Sequence, residues 1–321
     1  MTVSVILEPS FQTYCDGEKK NREALVNAPT IPEVRENAEK MHAAHQFVDI
    51  IEQERTIVQN GHKLRLSLFR PIGTENDILP GVIFYHGGGW AFCSKFTHGK
   101  AIRDISIKNN VAVVYVDYTL APEAKFPIIN EECYSTLEWV HENGASINID
   151  TNKLAVCGDS AGGHLSTAIA LMAKERGLGE VIKAQILIYP ATAPTSEIRE
   201  SYELFGNGDY GLSKQEALFF KNLYFDEFGN DNKFAYPLLA TREELQGLPP
   251  TLLITSEADI LRDEGEAYAR KLVEARVPTC AIRIVGAIHA YFSIPTPKET
   301  QAYKQTMALI TQQLNDVFAK Q

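Results

Sequence analysis

The sequence predicts an α/β protein: a mainly parallel sheet of about eight strands, flanked by helices. Three observations carry this. Apolar runs of strand length recur from residue 50 onward, several without polar alternation, as strands covered on both faces must be. Helical patterns separate them, which is how βαβ crossovers read. A Gly158-Asp159-Ser160-Ala161-Gly162 turn joins one such run to one such helix.

Residues 1–50 are polar and helical in pattern. Thr30 with Glu33 resembles a capping box. The helix it opens carries Val34, Ala38, Met41, Ala44 or His45, and Val48 on one side. Such a helix packs as a fixed outer layer or as part of a lid. Arg55–Val58 and Leu64–Phe69 then alternate as half-buried strands around Asn60-Gly61, a strong hairpin signal that predicts an antiparallel edge. Continuous apolar strands follow at Gly81–Tyr85, Val111–Val116, Lys153–Cys157, Ile186–Tyr189 and Thr251–Thr255, and Ala281–Val285 closes the series. Helices are predicted at about 98–109, 129–142, 160–176, 263–275 and 297–318. The interval 190–248 is too long for a crossover. It holds ten aromatics between Tyr202 and Tyr236, and Ser213 with Glu216 opens a helix in it. It is a helical excursion with a small core of its own, a lid whose aromatic face lines an acyl or alcohol pocket, or both.

Composition narrows the function. Lys and Arg number 31 against 41 Asp and Glu, a net charge of −10, and no basic run breaks that balance. Nucleic acid is therefore not an expected partner. The five cysteines are scattered, odd in number and form no C-x-x-C pair, which predicts buried free thiols rather than a disulfide framework or zinc site. No cationic leader is present, Val3–Leu7 is too short for a signal sequence, and no apolar run reaches membrane-span length. A cytoplasmic protein without stable membrane insertion is expected.

The chemistry centres on Ser160. A strand-to-helix turn this tight requires small residues beside the serine, and it presents Oγ at the tip with helix N–H groups nearby. G-x-S-x-G alone arises by chance. His86-Gly87-Gly88-Gly89-Trp90 is far rarer, and its glycines let backbone N–H groups face a ligand. Gly88 and Gly89, with Ala161, are the expected oxyanion donors. His86 is expected to anchor that loop by hydrogen bonds. In this strand–turn–helix context the acid and then the histidine follow the serine along the chain. Of eight histidines only His164 and His289 follow Ser160. His164 lies one turn along the serine's own helix, so it points along that helix; His289, in a loop past the last strand, is the expected base. Asp259, Glu257, Asp263 and Glu264 are the candidate acids. Asp263 looks like a helix N-cap completed by Glu266, Glu257 leaves its strand early, and Asp259 is favoured over Glu257. Trp90, Phe219 and Tyr291 are the expected substrate-contacting aromatics. No metal and no cofactor is called for.

Four segments are similar to the hormone-sensitive-lipase-like family of α/β-hydrolases: His86–Trp90, Asp117–Glu123, Gly158–Gly163 and Asp259–Gly265. The resemblance runs from about residue 55 to the end. It implies the α/β-hydrolase fold, a Ser160–Asp259–His289 triad and short- to medium-chain esters as substrates. It also implies a cap built from residues 1–50 and 190–248 over a core of 51–189 and 249–321, scaffold roles for Asp117 and Glu123, and a homodimer through the last strand. Ile260 and Ala290-Tyr291 stand where the family commonly has Pro and Gly-Phe, which alters loop shape without removing a reacting group. Amide, thioester or lipid hydrolysis on the same triad is the rival within the class. A non-catalytic small-molecule receptor is the rival outside it, and the presence of His289 argues against that.

Overall fold

The computed structural model describes residues 5–24, 30–42, 47–194, 199–226, 231–296 and 298–319. β1 (Ile51–Gln59) and β2 (His62–Arg70) form the antiparallel hairpin, with Asn60 at φ 50° and Gly61 at φ 80° making its turn. Positive φ at both turn residues suits Asn-Gly and matches the twist of the strands it joins. β3 (Leu79–Tyr85), β4 (Ala112–Asp117), β5 (Ile149–Asp159), β6 (Ile182–Ile188), β7 (Thr251–Ala258) and β8 (Thr279–Ile288) run parallel. One eight-stranded sheet results, in the order β1-β2-β4-β3-β5-β6-β7-β8.

Two features of the pairing position everything that follows. β3 lies beside β5 with Tyr85 opposite Gly158, so the loop leaving β3 emerges next to Ser160. β7 lies beside β8 with Ala258 opposite Ile288, so Asp259 and His289 leave the sheet as neighbours. Both pairs sit at carboxyl ends of parallel strands, where open α/β sheets bind ligands.

α3 (Gly99–Asn109) and α10 (Gln301–Phe318) pack together on one face of the sheet. α4 (Ile128–Asn143) and α5 (Ala161–Glu175) pack on the other, joined by α9 (Arg262–Glu274), whose Tyr268 hydroxyl meets Thr167 of α5 at 2.6 Å. With both faces covered, Val82, Ile83, Val113, Val156 and Leu187 are fully buried, the physical reason their strands read as unbroken apolar runs.

Toward the carboxyl edge lie α1 (Pro9–Ala24), α2 (Ile31–His42), α6 (Glu200–Phe205) and α7 (Lys214–Tyr224). α8 (Arg242–Leu245) instead lies beyond the far end of α5, where Lys174 donates to the carbonyls of Glu243 and Glu244. α7 opens on the predicted Ser213–Glu216 capping box, and α8 on a second one, Thr241–Glu244. Thr30 N and Oγ1 both donate to Glu33 at the start of α2. α2 then docks through Arg35, which donates to the carbonyls of Ala91 and Ala121 and, from both terminal nitrogens, to Glu123. That fork holds the Glu123 carboxyl down at about 2. Glu123 is thus a scaffold residue, as is Asp117, paired with Arg65 at 2.5 Å.

Some elements differ from expectation. α2 ends at His42, and Val48 stands outside it at 63% exposure. Ala44, His45 and the side chain of Met41 lie outside the described residues. α9 starts after Leu261 with no side-chain cap, so Asp263 is not its N-cap: its carboxylate accepts from Ser201 N and from Arg262. α10 starts at Gln301, later than the predicted 297, behind the N-cap Thr300, whose side chain accepts from Tyr303 N. Of the five free thiols Cys15, Cys133 and Cys157 are buried, but Cys93 is half-buried and Cys280, on the edge strand β8, is exposed.

Candidate active site

Ser160 connects β5 to α5 at φ 53°, ψ −116°, a region that a non-glycine residue occupies at a cost. What holds it there is close packing of the turn. A Cβ on Gly162 would overlap the carbonyl oxygen of Tyr85, and one on Gly158 the carbonyl oxygen of Gly162. Ser160 N donates to Ile188 O at 2.8 Å, which ties the tip to the neighbouring strand.

Oγ of Ser160 lies 2.9 Å from Nε2 of His289. Nδ1 of His289 lies 2.8 Å from Oδ2 of Asp259. Asp259 accepts only, so Nδ1 carries the proton and Nε2 is free to accept from the serine hydroxyl. Oδ1 of Asp259 accepts from Leu261 N at 2.9 Å, which fixes the carboxylate plane. Burial disfavours the His289 imidazolium, but the Asp259 charge and hydrogen bond outweigh it, and its pKa lies above the usual value. Glu257, the alternative acid, is engaged elsewhere: it accepts from Gly286 N at 2.7 Å. Glu264 is buried in α9 and accepts from the backbone of Thr192 and Ala193 and from Tyr202, while Lys221 of α7 donates to Ala193 O. That cluster anchors the 190–248 segment.

The other two histidines singled out are committed to structural contacts. His164 Nδ1 accepts from Trp90 Nε1, so Nε2 donates to the carbonyls of Phe234 and Ala235. Burial pushes its pKa down to about 4. His86 donates from Nδ1 to Gly87 O and is stacked on Tyr118, and burial pushes it down to about 3.

The glycine loop lies against the serine turn. Gly88 has φ 109° and Gly89 φ 59°, and a Cβ at Gly88 would run into the Phe92 carbonyl. Gly88 O accepts from Ala91 N and Phe92 N, which closes the loop into a turn. Among the described residues the N–H groups of Gly88, Gly89 and Ala161 have no protein acceptor.

The three aromatics expected to touch substrate sit differently. Trp90 is 3% exposed, stacked on Tyr224 at 4.7 Å with its N–H given to His164. Tyr291 is buried, its hydroxyl paired with Thr306 and its ring against Phe11 and Tyr189. Both pack as core residues. Phe219 is half exposed on α7, and its neighbour Phe220 is the ring that lies over Gly89, so close that a Cβ there would strike it. Phe92 meets Phe220 edge-on at 5.6 Å. Sequence reasoning also missed Asp159 and His98. Nothing but position marks them in the sequence: Asp159 lies inside the serine motif, and His98 precedes the serine.

A serine at the tip of a strained strand-to-helix turn, an imidazole behind it, a carboxylate behind that and, among the described residues, N–H groups beside it without a protein acceptor define a nucleophilic α/β-hydrolase. The family model described as alpha/beta hydrolase fold matches residues 82–293. The chain belongs to that family. It is 44% identical to a structure from work on two fungal esterases of Rhizomucor miehei, with a TM-score of 0.93 over 99% of both chains. It is 32% identical over 313 residues to the carboxylesterase NlhH of Mycobacterium tuberculosis, covering 96% of this chain and 93% of that protein. It is 34% identical over 265 residues, 80% of each chain, to an arylesterase of Saccharolobus solfataricus.

Proposed function

We infer that this chain, a carboxylic ester hydrolase, works through an acyl-enzyme on Ser160. The observation that carries the reading is the continuous path Ser160 Oγ, His289 Nε2, His289 Nδ1, Asp259 Oδ2, with links of 2.9 and 2.8 Å. Oγ bonds to the ester carbonyl carbon as its proton passes to Nε2. The carbonyl electron pair moves onto oxygen, where the N–H groups of Gly88, Gly89 and Ala161 receive it. Collapse breaks the C–O bond, and the leaving alkoxide takes the proton from Nε2. Water repeats the sequence and frees the acid. Asp259 orients the imidazole and stabilises its cation. A receptor that only binds has no use for a base at this distance, which favours the hydrolase.

Short- to medium-chain esters fit best, with Phe220 over Gly89 limiting the space beside the oxyanion donors. The expected cap of 1–50 and 190–248 narrows to α1, α2, α6 and α7, since α8 of the 190–248 insertion packs at the far end of α5 with the core of 51–189 and 249–321. Edge strand β8, with Val285 77% exposed, is the surface for a homodimer. No helix among the described residues is long and apolar enough to cross a membrane. The free thiols favour a reducing, cytoplasmic site of action. The direct test is Ser160→Ala, assayed by initial rates on a p-nitrophenyl ester series: turnover disappears while the melting curve stays cooperative. Substantial remaining turnover would remove Ser160 from the mechanism.

A further inference from the structure

Asp159 is a carboxylate with 1% exposure, immediately before the nucleophile, and none of the proton transfers above involves it. Its surroundings are specific. Oδ1 accepts from the backbone N–H of Gly87 at 3.0 Å, across 72 residues of sequence, and Nε2 of His98 lies 3.1 Å from the same oxygen. Oδ2 accepts from the Tyr189 hydroxyl at 3.3 Å. That hydroxyl in turn accepts from Phe292 N at 3.2 Å, while the Tyr189 ring lies 5.0 Å from the His289 ring. The fit at Gly87 is close: a Cβ there would stand 2.6 Å from Oδ2. One side chain therefore touches the glycine loop, the turn that bears the serine, and, through Tyr189, the segment that follows the base.

We propose that Asp159 is a positioning residue that holds the oxyanion loop against the nucleophile through Gly87 N–H. Gly87 directly precedes the two glycines whose N–H groups are aimed at the developing oxyanion, and both have positive φ, so the loop has conformations to fall into when its anchor is lost. Burial opposes a charge on Asp159, but His98 and the Gly87 N–H prevail and hold its pKa below the ordinary carboxyl range, so the anchor is a charge-assisted bond. His98 has no other assigned task, and its Nδ1 is held at 2.9 Å by Thr97.

The inference rests on the assignment of Gly88 and Gly89 as oxyanion donors, and the test separates the two. Asp159→Ala and Asp159→Asn are compared with the wild type for kcat, KM and affinity for an alkyl trifluoromethyl ketone, whose hemiketal oxyanion needs the hole. Asn keeps an oxygen that can accept from Gly87 N–H; Ala keeps none. Asp159→Ala is expected to lower kcat by about 10²–10³, the loss typical of one oxyanion donor, with KM within a few-fold. Ketone affinity should fall with kcat, and Asp159→Asn should recover most of both. A folded Asp159→Ala enzyme with wild-type kcat and ketone affinity would overturn the proposal. So would a folded Asp159→Asn enzyme as impaired as the Ala variant. Should Asp159→Ala not fold, Asp159→Ser, whose hydroxyl ends one bond short of Oδ1, is read by the same criteria. Failure of the donor assignment looks different: the wild type itself would then bind the ketone no better than the parent methyl ketone.

Discussion

Replacing Asp259 with asparagine isolates the carboxylate's contribution while keeping its shape. Oδ1 of Asp259 accepts from Leu261 N, and Oδ2 faces His289 Nδ1. In the Asp259→Asn variant the amide oxygen must take the Leu261 side, because turning the NH₂ there sets two donors against each other in a buried site, at about 1–3 kcal/mol. The NH₂ then faces Nδ1 and favours the tautomer with the proton on Nε2, which cannot accept from Ser160. The charge is lost as well. An imidazolium and a carboxylate with centres about 4 Å apart interact by about 4 kcal/mol at an effective dielectric of about 20. At about 1.36 kcal/mol per decade, that removes about 10³ from kcat, and the tautomer adds to the loss. KM changes little, because the bond strengthens only as the cation forms. The assay is p-nitrophenyl ester turnover at about pH 8, well above the histidine range, beside a thermal melt. A folded Asp259→Asn enzyme within about tenfold of wild-type kcat would refute the argument. Glu257→Gln, whose partner is Gly286 N, should stay within a few-fold in the same assay, and a collapse there would transfer the role to Glu257.

Three further outcomes follow from the same geometry. His289 must be neutral to act as base and its pKa is raised, so kcat/KM should fall as the pH drops through a point above about 6.5. In Asp259→Asn, burial remains without the counter-charge, so that limb should move below about 6.5; an unmoved limb would show that another group governs it. Arg35→Ala leaves the Ala91 and Ala121 carbonyls without their partner, and stability should fall by about 1–3 kcal/mol in thermal or urea unfolding, with α2 cleaved first in limited proteolysis. Gly162→Ala, with its Cβ in the Tyr85 carbonyl, should give no cooperative melt, whereas Gly17→Ala in α1, where a Cβ meets nothing within 4 Å, should be neutral or stabilising by up to about 1 kcal/mol. Equal melting of the two variants would contradict the packing described for the serine turn.

Much of the site was legible because its signals are local. The Ser160 turn, the Gly87–Gly89 loop and the Asn60-Gly61 hairpin each need particular backbone angles or the absence of a Cβ, and these requirements are met within a few residues. The Ser213 and Thr30 boxes are local for the same reason. The aromatics are harder to place because burial and helix phase are not local. Phe219 and Phe220 are alike in sequence, and only the docking of α7 decides which one meets Gly89. Trp90 reads as a pocket residue beside the loop, but Tyr224 and His164, brought in from far along the chain, enclose it. Asp263 resembled a cap because its spacing to Glu266 is right, yet the helix begins before it and Ser201 claims the carboxylate.

By itself the sequence determined the alternation of strands and helices, the nucleophile, the glycine loop and, by chain order, the base. Those are consequences of side-chain periodicity and backbone sterics over short spans. Tertiary structure decided the pairings. Strand register sets Ala258 beside Ile288 and so gives His289 to Asp259 rather than Glu257. It sets Tyr85 beside Gly158 and so brings Gly87 to Asp159. Arg35 reaches Glu123 only once α2 has docked. Contacts between residues this far apart depend on which elements become neighbours, and a shift of register by one residue would redirect every side chain at the sheet's edge.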